Sequence, residues 1–382
     1  MVRIQDVFSL FCYNNINKNK SQVIIIFSIS GDSHGKMMVG TLEKFPAGIK
    51  INIDYINKEL EKRQMGYGRG KRMSIEKDSV DIISGLWKGV TTGAPISFVI
   101  KNLADNTEKE ERSIPRPGHG DYSAFKKYKL DNLNIYAERN SARWTSVITA
   151  LGSISKQFLN HLNIDTVSYV YSLGRILDEN NYDFDFVKEN KNIHTGSPNE
   201  EYSKLFKKEI DNFLKNSLGG KIRVIAKNIK PGIGDYSNLF DRIDSKIGKY
   251  FFAIPSVKGV VIGAENFHLP GTHYNDEFYF ENNEISRKSN SAGGIEAGFT
   301  NGENIVVNVY AKPIPTVLEP MDSVDLKNNN NAKTKYIRSD TTAVPALSVI
   351  LKNVMNLMLF EAIIENFGTG NYKDIVKRYQ EF

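Results

Sequence analysis

A single cysteine, Cys12, stands in a chain of 382 residues. That excludes an internal disulfide framework and suits a reducing cytosol. Charge of one sign is also scarce, because 50 Lys and Arg against 44 Asp and Glu leave a net +6. So mild an excess fits anionic small molecules. Lys and Glu are intermixed rather than striped, which argues against a nucleic-acid surface. No unbroken apolar run is long enough for a bilayer. The longest stretch, Val344 to Phe367, is interrupted by Lys352, Asn353, Asn356, Glu361 and Glu365 and reads as a buried helix. The short apolar patch Val7 to Tyr13 has no small-residue cleavage site and makes a poor signal peptide. The histidines offer no metal-ligand spacing, His268 and His273 near Asp276 reading as loop residues. Gly35-Lys36 lacks both the spacing and the hydroxyl residue of a phosphate-binding loop.

What is present is a set of rigid polar turns. Val23 to Ile29 reads as a strand running into Gly31-Asp32-Ser33-His34-Gly35, where two glycines let the backbone bend and hold Ser33 and His34 at the strand exit. Histidine is the side chain suited to proton transfer near neutral pH. A second histidine lies in Arg116-Pro117-Gly118-His119-Gly120-Asp121, and a third turn is Arg139-Asn140-Ser141-Ala142-Arg143. Residues 1 to 22 read as a flexible N-terminal extension, 23 to 368 as one domain, and 369 to 382 as a tail. Asp54 is expected to cap a helix bearing Ile56 and Leu60. Arg63 and the segment Gly66 to Arg72 put three glycines and four cations together, either as an anion cradle or as a solvated basic loop. Strands are expected at Val80 to Leu86, Pro95 to Ile100, Lys221 to Ile229, Val257 to Ile262 and Ile305 to Ala311. A helix is expected over Trp144 to Leu162, and a second with Leu239, Phe240, Ile243 and Ile247 inward. Asp322 to Lys335 reads as a polar mobile loop that delivers Arg338-Ser339-Asp340 to the long apolar helix.

Two readings of the first turn compete. Formally it is Gly-x-Ser-x-Gly, the nucleophile elbow of serine hydrolases, with Ser33 as nucleophile and His268 or His273 plus Asp276 as partners. Only one strand precedes Ser33, whereas that fold places its elbow mid-sheet. The alternative rests on order. The first turn, Thr91-Thr92-Gly93-Ala94-Pro95-Ile96, the His119 turn, Arg139 to Arg143, Ala292-Gly293-Gly294-Ile295 and Arg338-Ser339-Asp340 together resemble the chorismate synthase family, from about Ile24 to Phe367. Any one of these motifs is weak; six in order are specific.

The resemblance implies an α+β fold, a β-α-β sandwich with helices packed between antiparallel sheets, assembled as a cytoplasmic homotetramer. It implies a lyase that needs reduced FMN and eliminates phosphate from 5-enolpyruvylshikimate 3-phosphate to give chorismate, with no role for nucleic acid or membrane. His34 then falls at the position of an acid for the departing phosphate, His119 at that of the proton donor beside the flavin pyrimidine ring, and Asp340 near flavin N5. Arg63 and Arg69 match positions that bind substrate phosphate or a nicotinamide nucleotide, which makes NADPH a candidate reductant. Arg139, Asn140, Ser141, Pro255, Ser256, Ala297, Lys312, Pro313, Ile314, Pro315, Thr316 and Arg338 match the flavin-binding segments. Several residues depart from the family pattern. Asp32 replaces Glu, Tyr136-Ala137-Glu138 replace glycines, Asn140 replaces Ser, Pro255-Ser256 replace Asn-Ala, Ala297 replaces Gly, Ser339 replaces His and Thr341-Thr342 replace Pro-Cys. These substitutions motivate a third reading, an inactive flavin-binding homologue.

Overall fold

Alternation of apolar and polar residues in the opening segment builds a half-buried hairpin. The computed structural model describes residues 26–69, 77–102, 111–281, 283–335 and 340–382. Strands β1 (Phe27–Gly31) and β2 (Met37–Leu42) pair antiparallel, with the His34 turn between them. Gly31 has φ of +90°, and a side chain there would collide with the Met37 carbonyl, so the tight exit requires glycine. Helix α1 (Ile53–Gln64) follows, and β3 (Val80–Ile82) with β4 (Ile96–Lys101) completes a sheet in the order β1-β2-β4-β3. Short helices α2 (Asp121–Tyr128) and α3 (Asn134–Asn140) lead to α4 (Thr145–Leu159).

The second sheet uses β5 (Asp165–Leu173), β6 (Ile176–Leu177) and β7 (Gly220–Lys227). After α5 (Ile243–Phe252) come β8 (Val257–Ile262) and β9 (Ile305–Ala311), giving the antiparallel order β8-β9-β7-β5-β6. The chain closes with α6 (Val344–Phe367) and α7 (Tyr372–Glu381). Helix α4 packs on β2, while α6 packs on β5, β7 and α4, so the helices lie between the two antiparallel sheets. This is the expected α+β arrangement. Every residue of α4 is buried. Gly152 meets Asn353 of α6 so closely that a side chain there would strike the Asn353 carbonyl. Helix α6 is the only described helix long and apolar enough to cross a membrane, and 94% of its most apolar window is buried inside the protein.

Several local expectations change. Asn52, not Asp54, caps α1, its side chain accepting from the Tyr55 N–H at 3.0 Å, because the chain turns two residues earlier. Helix α5 begins at Ile243, which leaves Leu239 and Phe240 exposed at 69% and 81% rather than inward. The polar stretch from Asp322 is a hairpin, Asp322–Asp325 against Asn330–Lys333, anchored where Ser323 Oγ donates to the Pro115 carbonyl at 2.6 Å. Long-range pairing orders what its composition marks as loose. Residues 369–382, set apart as a tail, contain α7, whose Ile375 and Tyr379 join the main core. The extension 1–22, residues 70–72 of the basic loop, and Arg338 with Ser339 lie outside the described residues.

Candidate active site

The buried helices α4 and α6 both start at one cleft of about 640 Å³. Ser141, Ala142, Trp144 and Thr145 line it from the start of α4, and Ala343, Ala346, Leu347 and Ile350 from the start of α6. The floor is thus apolar, and two helix N-termini add positive potential. Around it stand cations and proton carriers. His34 enters from the β1–β2 turn, His119 from the turn before α2, and Asp340 from the approach to α6. These three residues, 306 positions apart at the extremes (340 − 34), share one cavity.

His34 is held by a carboxylate. Its Nδ1 lies 2.8 Å from Glu138 Oε1, and its backbone N–H donates to Glu138 Oε2 at 2.7 Å. Ser33 Oγ donates to the same Oε2 at 3.1 Å and lies 3.0 Å from Nδ1. A hydrolase nucleophile gives its proton to a histidine that a carboxylate orients through its other nitrogen. Here serine and carboxylate meet the same nitrogen, and the geometry is not a triad. Neither His268, His273 nor Asp276 lines the cleft.

His119 has a partner of the same kind. Its Nδ1 lies 2.8 Å from Asp121 Oδ1 and 2.9 Å from Arg116 Nη2. Asp121 is fully buried, receives Arg116 Nε at 3.0 Å and stands 3.6 Å from Arg112. Burial works to raise the Asp121 carboxyl, but hydrogen bonds from His119 and Arg116 and the Arg116 charge outweigh it. The group is held well below the usual carboxylate range. Lys312 Nζ donates to the Gly118 carbonyl at 2.5 Å, tying the His119 turn to the exit of β9. Burial first, and then Lys258, lower the Lys312 ammonium.

The remaining matched residues fall as follows. Arg139, Asn140 and Ser141 line the cleft from the α3–α4 junction, Pro255 and Ser256 from the start of β8, and Lys312, Ile314, Pro315 and Thr316 after β9. Arg69 lines it too, with Nη1 3.5 Å from Asp340. Burial pulls the Arg69 guanidinium down, opposed by Asp340 and Asp78. Arg63 lines the cleft but directs donors to Thr145 Oγ1, Asp78 and the Ala142 carbonyl, so it braces the start of α4. Pro313 is not among the lining residues. Ala297 is elsewhere: Gly298 accepts from Ile243 N–H at the opposite end of α5 from Phe252, which borders the cleft. Ten helical residues put it about 15 Å away. The sequence reading missed Arg116, Lys258 and Glu138 as site residues. Arg116 and Glu138 adjoin motifs already noted, yet nothing local shows that they turn toward a histidine.

The chemistry of the donor set fits a flat aromatic ring carrying a phosphate beside a polyanionic substrate. Guanidinium and ammonium groups rim an apolar floor, and two imidazoles and a carboxylate can carry protons. Comparison with known proteins agrees. The family model described as chorismate synthase matches residues 25–364. The chain is 48% identical to the chorismate synthase of Thermotoga sp. (strain RQ2) over 356 residues, 92% of this chain and 94% of that one. It is 36% identical to the chorismate synthase of Clostridium tetani (strain Massachusetts / E88) over 371 residues, 93% of this chain and 96% of that one. A solved structure titled "Crystal Structure of Chorismate Synthase" aligns with TM-score 0.74 at 30% identity, covering 93% of this chain and 96% of that one. The chain belongs to the chorismate synthase family.

Proposed function

We propose a division of labour among the cleft residues for the family's reaction, loss of phosphate from 5-enolpyruvylshikimate 3-phosphate to give chorismate. The chain is a carbon–oxygen lyase of aromatic amino-acid biosynthesis. His34 supplies a proton to the departing phosphate from Nε2, since Nδ1 faces Glu138. Arg69 draws the phosphate charge, each charge-assisted hydrogen bond contributing roughly 1.5–3 kcal/mol. Asp340, 3.5 Å from Arg69, takes the ring proton. Arg139, Asn140, Ser141, Lys312 and Thr316 would hold reduced FMN on the apolar floor, with Pro255, Ser256, Ile314 and Pro315 packing against it. When bound, that group supplies the electron-rich ring the family's elimination depends on. His119 holds a proton at Nε2 toward it, its ring fixed by Asp121.

The observation that carries this reading is the convergence of His34, His119 and Asp340 on one cationic cleft. The test is an anaerobic assay with reduced FMN and the enolpyruvyl substrate. Chorismate and phosphate released together, and lost in His119→Ala, support it. Tight FMN binding without turnover would support the inactive homologue instead. A homotetramer, which the exposed Tyr236, Phe240 and Phe280 favour, is checked by light scattering in solution.

A further inference from the structure

The carboxylate of Glu138 lands on a proposed catalytic histidine. Glu138 sits in α3 between Ala137 and Arg139, which line the cleft, yet is not itself a lining residue. It reaches His34 from behind. Two oxygens receive three donors: the His34 backbone N–H at 2.7 Å, Ser33 O–H at 3.1 Å and the His34 ring at 2.8 Å. An ionised carboxylate only accepts, so the ring nitrogen facing it carries the proton. The turn that presents the ring is braced separately, Asn102 Nδ2 donating to the Gly35 carbonyl at 2.6 Å. Glu138 thus holds the turn through Oε2 and the ring through Oε1, while Asn102 braces the turn independently.

We infer that Glu138 is a positioning residue that fixes the His34 tautomer, proton on Nδ1, so that Nε2 is the atom which loads and delivers the proton in the cleft. This rests on the role given to His34 above. Imidazoles oriented by carboxylates recur in acid–base sites, where the wrong tautomer is costly even with the geometry intact.

Glu138→Gln separates tautomer from scaffold. An amide has one accepting oxygen; left on the His34 N–H and Ser33, it turns its NH₂ to Nδ1, which must then accept, and the proton moves to Nε2. With ¹⁵N-labelled histidine (six in the chain) and the His34 signals identified by their loss in His34→Ala, the neutral wild-type ring should show Nδ1–H. Glu138→Gln should show Nε2–H, an unchanged unfolding midpoint, and kcat lower by about 10²-fold with KM within about 3-fold. Glu138→Asp should recover part of the rate. A wild-type ring protonated on Nε2 overturns the inference and needs no variant, so it decides the matter even where Glu138→Gln fails to fold. So does full kcat in Glu138→Gln. Full activity in His34→Ala would instead remove the role assigned to His34, and an inactive wild type would remove the reading of the site, each independently of the measured tautomer.

Discussion

Two histidine–carboxylate pairs face one cleft, and they are built differently. His119 rests on Asp121, which is fully buried and knitted to Arg112 and Arg116. His34 rests on Glu138, which is about one-fifth exposed and, among the described residues, otherwise receives a hydroxyl and a backbone N–H. At the first pair a guanidinium that can only donate and a carboxylate that can only accept press on the same ring nitrogen. At the second, a carboxylate that can only accept and a hydroxyl that can do either meet the ring nitrogen. The contrast sets a fully buried, multiply paired carboxylate against a more exposed one whose proposed service is to the chemistry.

The largest effects should fall on turnover. Removing either imidazole, His34→Ala or His119→Ala, should lower kcat by about 10²–10⁴-fold, measured by anaerobic chorismate formation. Near-equal losses with unequal stability would sharpen the contrast; a variant with normal kcat would break it. Next comes Asp121→Asn, which leaves half-buried Arg116 without its fully buried counter-charge and should destabilise by about 3–5 kcal/mol in denaturant unfolding. The pH dependence carries a sign. Asp121 titrates below its unfolded value of about 3.9, so its contribution is complete above pH 4 and is lost as pH falls through the folded value. Wild type should therefore lose stability more steeply than Asp121→Asn between about pH 4 and pH 2. Were the two curves parallel, the buried pair would not be a fold element.

A double-mutant cycle measures the same difference at smaller scale. Arg116 and Asp121 should couple by roughly 1.5–3 kcal/mol in stability, and Ser33 with Glu138 by roughly 1 kcal/mol or less. The smallest effect is Ser33→Ala, about 1 kcal/mol in stability with kcat within about 3-fold. A large kcat loss there would return Ser33 to the chemistry and undo the contrast.

Much of this was legible in the chain, and for definite reasons. Glycines at the Gly31 and Gly120 turns mark positive φ values of 90° and 91° that few other residues adopt. Strands Val257–Ile262 and Ile305–Ala311 show their own periodicity, and α6 is apolar on most faces because nearly all of its residues are buried. What escaped was decided by distant partners. Asp322 to Lys333 is polar, yet pairs as a hairpin because residues 113 to 115 hold it by Leu326 N and Ser323 Oγ. Phe240 looks like a core residue but lies outside its helix. Glu138 is 104 positions from His34, and no local pattern records that a carboxylate on α3 meets a ring on the β1–β2 turn.

The placement of α6 bears on how the protein is made. Helix Val344–Phe367 touches both sheet and helix layers and walls the cleft, yet leaves the ribosome after every strand it packs on. Until then the second sheet lacks the helix that covers its apolar face, and contacts spanning hundreds of residues must wait for it. Its emergence should bring one concerted closure, and a chain released before residue 344 would be a client for chaperones and proteases rather than a slow enzyme.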